Sequence, residues 1–192
     1  MTFDLPKSVT VDGVEYPCRY DFRVILEIIV MLQDAELSNA DRLEALITMF
    51  YVDDFPADLQ KAADACFEFI DNSNRPKKKA PRLTDWEQDF EYIIAPVNRV
   101  LGFESRAVAY DPQANTGGLH WWTFLSAYME IGGDCLYSQI VSLRDKQARK
   151  KKLEKHEREW LRRNGDLVRL KSRYTSADEE LIKEWTQGDK HG

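Results

Sequence analysis

Leu119-His120-Trp121-Trp122-Thr123-Phe124-Leu125 is the most informative segment of this chain. It follows the pair Gly117-Gly118 and opens a long pattern of apolar residues at helical spacing. Neighbouring positions of a helix point about 100° apart, so Trp121 and Trp122 cannot both centre on one narrow stripe. Either this helix is buried over a broad surface, or one of the two indoles faces a partner. Because large aromatic side chains dominate protein cores, we expect both in the core of one subunit.

Apolar residues at helical spacing also predict helices before this segment. Between residues 22 and 32 they occupy two faces, which indicates deep burial. Ser38 should cap the next helix, and Pro56 fits the first turn of another. Thr84 and Glu87 have the spacing of a capping box for a further helix. The chain is therefore predicted to be mainly α-helical.

Several breaks interrupt the helical pattern. Loops are predicted at Asp71–Pro81 and Glu104–Gly118, which are rich in turn residues. Pro96 lies inside a helical pattern and should kink it. Gly132-Gly133 interrupts the pattern that begins at Trp121, and each glycine costs about 1 kcal/mol in a helix interior. One helix or two helices meeting there are equally compatible with the sequence.

An alternating pattern near the N-terminus predicts a β-hairpin. Asp12-Gly13 suits a type I′ turn, because both central residues of that turn need positive φ. A two-residue turn pairs Val11 with Val14 and Val9 with Tyr16, which places their apolar side chains on one face. Since an isolated hairpin is marginal in water, it should pack on the helices or lend its edge to another copy.

Charge is segregated along the 192 residues, although the net charge is only −6. Residues 1–143 hold 12 basic and 23 acidic groups, whereas residues 144–173 hold 13 basic and 5 acidic groups. This segregation indicates self-complementary packing or an acidic partner, and the alternative is a solvated charged helix. The candidate cations of this basic arm are Lys150, Lys151, Lys152, Arg158, Arg162 and Arg163.

Together these patterns predict a mainly α fold: a helical bundle with a small N-terminal β-hairpin and a basic C-terminal helical arm. Residues 1–143 should form the hairpin and helical body, and residues 144–192 the basic arm and tail. The arm contains few apolar residues and cannot bury much of its own surface, so we expect it to pack on the acidic body of a neighbouring copy.

Membrane insertion and secretion are not indicated. The N-terminal residues lack the basic and apolar regions of a signal peptide. The most apolar run, Val24–Leu32, is far shorter than the roughly 20 residues of a membrane span. Three widely spaced cysteines, Cys18, Cys66 and Cys135, do not make a disulfide framework and favour a reducing compartment.

The residues show no pattern typical of catalysis. His120, His156 and His191 are isolated, and the metal-binding, phosphate-loop and nucleophile-elbow motifs are missing. We therefore predict no catalytic residues, no metal and no cofactor, and expect a protein that is not an enzyme. The basic arm lacks the signatures of known nucleic-acid-binding modules, and the acidic body would repel DNA.

Three stretches together resemble a known family. They are Asp21-Phe22-Arg23 with Met31-Leu32, Gln88–Ile93, and Leu119–Phe124 continuing to Leu143-Arg144. The chain resembles, over roughly residues 21–170, the bacteriophage tail proteins encoded just before the tape measure in long-tailed phages of Gram-positive hosts. The conspicuous residues of these stretches are candidates for either interaction or core: Asp21, Phe22, Arg23, His120, Trp121, Trp122 and Phe124.

The resemblance implies a non-catalytic tail assembly chaperone. Such proteins are thought to coat the long, largely helical tape measure protein until tail-tube subunits replace them. The implied partners are the tape measure, other copies of the chain and, as a further candidate, the tail tube protein. The implied location is the host cytoplasm, with the protein absent from the mature virion. The alternatives are a structural tail or connector component kept in the virion, and a nucleic-acid-binding regulator that uses the basic arm.

Overall fold

A computed structural model describes residues 4–72 and 81–171, and all structural statements refer to these residues. The mainly helical fold with an N-terminal hairpin is confirmed. In chain order the elements are β1 Ser8–Val11, β2 Val14–Pro17, α1 Phe22–Leu32, α2 Asn39–Phe50, α3 Leu59–Asp71, α4 Trp86–Leu101, a 3-10 turn Ser105–Ala107, β3 Tyr110–Asp111, β4 Thr116–Gly117, α5 Trp121–Met129, α6 Leu136–Ala148 and α7 Lys155–Val168. Most of the predicted loop at Asp71–Pro81, and the tail from residue 172, lie outside the described residues.

The N-terminal hairpin has the predicted register. Val11 pairs with Val14 and Val9 with Tyr16, while Asp12 and Gly13 have φ of 50° and 81°. Strand β1 packs on α3, and the backbone continues into an isolated bridge between Cys18 and Tyr51. Of the two predicted uses of the hairpin, packing on the helices is the one seen within the chain.

Helix α1 lies at the centre of the core, in contact with α2, α4 and α5. Phe22, Ile25 and Ile28 are completely buried. The ring of Phe22 stacks on Phe124 of α5, with centroids 4.6 Å apart. Full burial of each such side chain stabilises the fold by about 1.5–3 kcal/mol. The deep burial predicted for this segment holds for Phe22, Ile25, Leu26 and Ile28, whereas its other apolar residues are only partly buried.

Of the helix starts predicted from Ser38, Pro56 and Thr84, only the first is correct. Ser38 caps α2 in a reciprocal capping box with Asp41, as expected. Pro56, by contrast, precedes α3, because the Asp58 carboxylate accepts the amides of Gln60 and Lys61 and so caps the helix there. The prediction from Pro56 was wrong because an Asp cap outweighs a proline placed near a helix start.

The start of α4 also differs from the prediction. Its cap is Asp85, whose Oδ1 accepts the amides of Glu87 and Gln88 at 3.1 and 3.0 Å. The hydroxyl of Thr84, which was the predicted cap, instead lies 2.5 Å from the Tyr137 hydroxyl. Tertiary hydrogen bonding thus takes Thr84 away from the local capping role.

The residues that interrupt the helical pattern have different effects in the structure. Gly132-Gly133 lies between α5 and α6, so two helices meet there. Helix α4 continues through Pro96 to Leu101. The predicted loop at Glu104–Gly118 contains the 3-10 turn and the short antiparallel pair β3–β4. Local turn residues predicted that irregular segment, whereas its two-residue strands are too short to produce a recognisable alternation.

Candidate interaction surface

The first and third family-like stretches meet directly in the structure. Asp21 and His120 form an isolated antiparallel bridge. The Phe22 amide donates to the Leu119 carbonyl at 3.0 Å, and the Trp121 amide donates to the Tyr20 carbonyl at 2.7 Å. These backbone hydrogen bonds alone join the start of α1 to the start of α5.

Asp21 strengthens this junction with a fully buried carboxylate. Oδ1 accepts from the Arg23 amide at 3.0 Å and from Arg23 Nε at 2.7 Å. Oδ2 accepts from Arg23 Nη2 at 3.0 Å and from the Leu119 amide at 2.9 Å. Since a buried charge is tolerated only when it is paired and hydrogen-bonded, every one of these donors helps to hold Asp21 in place.

Gly118 makes the close approach to Asp21 possible. It has a φ of 76°, which L side chains rarely adopt. A Cβ atom at this position would also overlap Asp21 Oδ2. The glycine before LHWWTFL is therefore required by the Asp21 junction.

The two adjacent tryptophans close the end of α3. Trp121 Nε1 donates to the Ile70 carbonyl and Trp122 Nε1 to the Phe69 carbonyl, both at 2.8 Å. The last carbonyls of a helix have no partner within the helix, and these indoles donate to two of them. The Phe69 carbonyl also accepts the Asn72 amide at 3.3 Å. Trp121 is buried and Trp122 is half-buried against the core, so both indoles serve the subunit itself.

His120 caps α5 and is fixed in one tautomer by its neighbours. Nδ1 accepts the Trp122 amide at 3.0 Å, so the proton lies on Nε2, which donates to the Pro6 carbonyl at 2.7 Å. The ring also stacks on Tyr20 with centroids 5.4 Å apart. Burial lowers the pKa of His120, and the charge of Lys7 lowers it further, although the hydrogen bond to Pro6 opposes them.

Most of the candidate residues named from the sequence thus build the core. Five of them are buried: Asp21, Phe22, His120, Trp121 and Phe124. The guanidinium of Arg23 donates hydrogen bonds to Asp21 and to the Val108 carbonyl. Phe22 and Arg23 also line the groove described below, whereas the polar atoms of the buried residues are used within the chain. The recognisable string marks a structural junction, and a recognition surface has to be sought elsewhere.

An apolar groove runs between α1 and α4. It has a volume of about 460 Å³, and its walls are mainly Leu26, Val30 and Met31 from α1 with Trp86 and Phe90 from α4. All of these except Leu26 are only partly buried. The sequence does not predict the groove, because the breadth of the apolar pattern in α1 indicates deep burial, whereas Val30 and Met31 are only partly buried.

The floor and rim of the groove have different chemistry. Trp86 rests on the core, with its ring centroid 4.8 Å from Tyr128 and 6.2 Å from Trp121, so the floor is rigidly supported. On the rim, Glu27 and Glu87 are exposed. The partly buried cation Arg23 also lines the groove. A supported apolar floor under this rim of mixed charge fits an apolar side-chain row, with basic flanks beside Glu27 and Glu87.

Arg144, where the predicted basic arm begins, lies in a buried hub. Its guanidinium binds both oxygens of Asp89, at 2.5 and 2.9 Å, and both residues are almost fully buried. It also donates to the carbonyls of Leu83, Leu167 and Val168 at 2.8–3.0 Å. One side chain thus ties α4, α6 and the end of α7 together.

The described part of the basic arm therefore packs on its own chain. Helix α6 continues through the predicted boundary at 143/144, and α7 folds back on α6. Within the chain, Arg144 and the ion pair of Lys146 with Glu157 provide part of this packing, and the expected contact with a neighbouring copy stays a prediction. The other candidate cations are exposed: Lys150, Lys151, Lys152, Arg158, Arg162 and Arg163.

Neither a membrane-spanning helix nor a metal-binding cluster occurs within residues 4–72 and 81–171. No helix in these ranges is long and apolar enough to cross a membrane. The same ranges contain no group of three or more His, Cys, Asp or Glu side chains that could hold a metal ion.

Comparison with known proteins gave one result. A protein-family profile described as Bacteriophage Gp15 protein matches residues 1–170. Curated proteins and solved structures gave no match. The matched range includes all of α1, α4 and α5, and hence both the buried junction and the groove.

Proposed function

Since the chain belongs to the bacteriophage Gp15 protein family, and is thus a phage structural or assembly protein, we propose that it acts as a tail assembly chaperone. Its client is the tape measure protein, which it keeps soluble until the tail tube forms. The observation that carries this proposal is the apolar groove between α1 and α4, which residues 4–72 and 81–171 leave open while most of their other large apolar side chains form a core.

The groove can cover part of an amphipathic helix. A tape measure helix exposes rows of apolar residues, and the row would enter between Val30 and Phe90 while basic flanks approach Glu27 and Glu87. Removing about 200 Å² of apolar surface from water is worth about 5 kcal/mol before the cost of association. Such an interaction is weak for one copy, so many copies along the client give effective cover and still allow release.

The proposed role is non-catalytic and needs neither metal nor cofactor. It takes place in the host cytoplasm during assembly, and the protein leaves before the virion is complete. Self-association along the tape measure and a handover contact with the tail tube protein are parts of the same proposal. The exposed lysines and arginines around α7 are available for an acidic partner surface in either contact.

Co-expression with the tape measure protein of the same phage tests the proposal. We expect the tape measure to be insoluble alone, to become soluble with this chain, and to co-elute with it in gel filtration. Equal solubility with and without the chain, together with separate elution, would contradict the proposal.

The same phage can distinguish a chaperone from a retained tail component. Mass spectrometry of purified virions should detect abundant tail tube protein and little or none of this chain. A stoichiometric amount of the chain in the virion would instead favour the structural role.

A further inference from the structure

Two large apolar side chains remain exposed where α2 leads into α3. Phe55 is 48% exposed, and Leu59, the first residue of α3, is 44% exposed. The Phe55 ring centroid lies 6.4 Å from that of the buried Tyr51, whose hydroxyl donates to the Ala62 carbonyl at 3.0 Å. Phe55 therefore rests on a side chain that is fixed to α3, while about half of its own surface stays in water.

Acidic groups surround Phe55. Residues 53–68 hold five acidic groups and one basic group, and that base, Lys61, is paired with Asp12 at 2.7 Å. The exposed carboxylates nearest to Phe55 in sequence are Asp53, Asp54 and Asp58. Residues 53–59, which we call the acidic knob, thus combine an apolar centre with a charged rim, an arrangement typical of protein contacts.

A cleft of about 430 Å³ lies between α6 and α7. The half-buried Trp160 and the buried Leu143 give it apolar surface. Glu157, which also lines the cleft, is paired with Lys146. Its remaining walls carry small or polar side chains, among them Ser138, Gln139 and Ser142. The cleft is large enough for a phenylalanine ring and offers an indole for it to pack against.

The charge around this cleft is opposite to that of the acidic knob. Residues 149–163 hold eight basic and three acidic groups. Lys155 precedes the cleft residue His156, and Arg163 follows Trp160 by about one helical turn. Both cations are exposed. An acidic surface with an apolar centre therefore matches the cleft in charge as well as in size.

The acidic knob and the cleft lie on separate sides of the fold. Helix α2 packs on α1, α1 on α4, α4 on α6, and α6 on α7. Because α1 and α4 lie between them, the knob of one chain is held away from its own cleft. Two complementary surfaces at separate places on one subunit make a heterologous contact, which continues from copy to copy.

We propose that the acidic knob of one copy inserts into the α6–α7 cleft of the next, with Phe55 against Trp160 and the carboxylates of the knob facing the exposed cations. The partner is thus a second copy of this chain, and the contact builds an open-ended row of copies that all point the same way. Such a row presents successive α1–α4 grooves to one client. That use rests on the proposed chaperone function, whereas the contact itself can be tested on the purified chain.

Sedimentation velocity of the full chain over a wide range of concentrations tests the contact. We expect the wild type to form species larger than a dimer as its concentration rises. The variant Phe55→Asp replaces the apolar centre of the knob with a charge and should remain monomeric. Phe103→Asp is the matched control, because Phe103 is 45% exposed outside the knob, and it should associate as the wild type does. Circular dichroism verifies that both variants fold.

A cleft variant shows whether the two surfaces bind each other. Ser142 is exposed on the wall of the cleft, so Ser142→Glu should obstruct the cleft and repel the knob without unfolding the chain. Alone, this variant should be monomeric. Mixed with Phe55→Asp, it supplies an intact knob to an intact cleft, so the mixture should form a dimer and nothing larger.

Five results would each overturn the proposal: a wild type that stays monomeric, a wild type that stops at a dimer, undiminished association of Phe55→Asp or Ser142→Glu, equal loss of association in Phe103→Asp, or a mixture that stays monomeric. These measurements contain no tape measure protein. Their failure therefore leaves the co-expression test of the chaperone function intact, and failure of that test leaves the contact between copies intact.

Discussion

Asp21 shows how one buried side chain can organise distant parts of a chain. Its carboxylate caps α1, receives the Arg23 guanidinium and accepts the Leu119 amide at the entry to α5. Gly118 provides the space for this approach. At this scale the residues that make the family recognisable are explained by folding, because they either hydrogen-bond to one another and to nearby backbone or, like Phe22 and Phe124, stack in the core.

Replacing Asp21 with Asn should therefore destabilise the protein strongly. The variant Asp21→Asn keeps the shape but removes the charge that pairs with the partly exposed Arg23, and its amide nitrogen cannot accept the donors that one carboxylate oxygen now accepts, so we expect a loss of about 1–3 kcal/mol in the free energy of unfolding. Urea denaturation followed by circular dichroism measures it. The matched control Asp12→Asn removes an exposed partner of Lys61 and should change little. Equal effects of the two variants would contradict the structural role of Asp21.

His120 should make stability depend on pH. Its pKa is lowered in the folded state, mainly by burial, so the unfolded chain takes up the proton first as the pH falls. Stabilisation by the neutral ring is therefore complete above the ordinary histidine pKa of about 6.5 and is lost progressively below it. Thermal unfolding at about pH 8 and about pH 5.5 measures this loss.

The variant His120→Asn isolates the contribution of the histidine. Asparagine can still cap α5 through its side-chain oxygen but does not titrate in this range. We expect its melting temperature to fall less between the two pH values than that of the wild type, although the many carboxylates affect both proteins equally. An identical fall in both proteins would show that His120 is not the titrating group.

At the scale of elements, α3, α4 and α7 are held at their ends by side chains from other helices. The indoles of Trp121 and Trp122 close the C-terminal end of α3. Arg144 joins Asp89 of α4 to the last carbonyls of α7. Helix α7 has a single buried residue, Val168, so its position depends on this polar hub more than on apolar packing.

Arg144→Lys should weaken that hub although the charge is kept. Lysine cannot make the bidentate pair with Asp89 and donate to three carbonyls at once, so we expect a loss of about 3 kcal/mol in the free energy of unfolding. Denaturation measures the loss, and limited proteolysis near residues 149–154 should become faster as α7 detaches. Arg149→Lys, at an exposed ion pair with Asp145, should leave both readouts nearly unchanged. Equal changes in the two variants would contradict the proposed role of Arg144 in holding α7.

Sequence patterns predicted elements better than they predicted contacts. Helical periodicity and the Asp12-Gly13 turn predicted α1 and the hairpin because their signals are local. The cap of α4, the role of Arg144 and the opening beside Val30 depend on residues distant in sequence, which periodicity does not report. Arg144 was grouped with the basic arm because charge counting cannot distinguish a buried cation from a solvated one.

At the scale of the whole molecule, a sealed core and an open groove occupy different parts of the same fold. The core packs the described helices of one chain against each other, and the groove is the surface that we propose for an apolar helix of the client. The basic groups around α7 and the acidic body lie on the same chain, so charge alone does not require a second copy. Client binding is therefore expected to depend on groove residues.

The solubility of the tape measure protein during co-expression tests this claim most directly when groove and control variants are compared. Val30→Asp places a charge in the groove near the end of α1, whereas Val100→Asp places one at an exposed position near the end of α4, outside the groove. Both variants should fold, as circular dichroism can verify. We predict that Val30→Asp fails to keep the tape measure soluble and that Val100→Asp succeeds as the wild type does. Equal solubilisation by the two variants would contradict the groove as the client-binding surface.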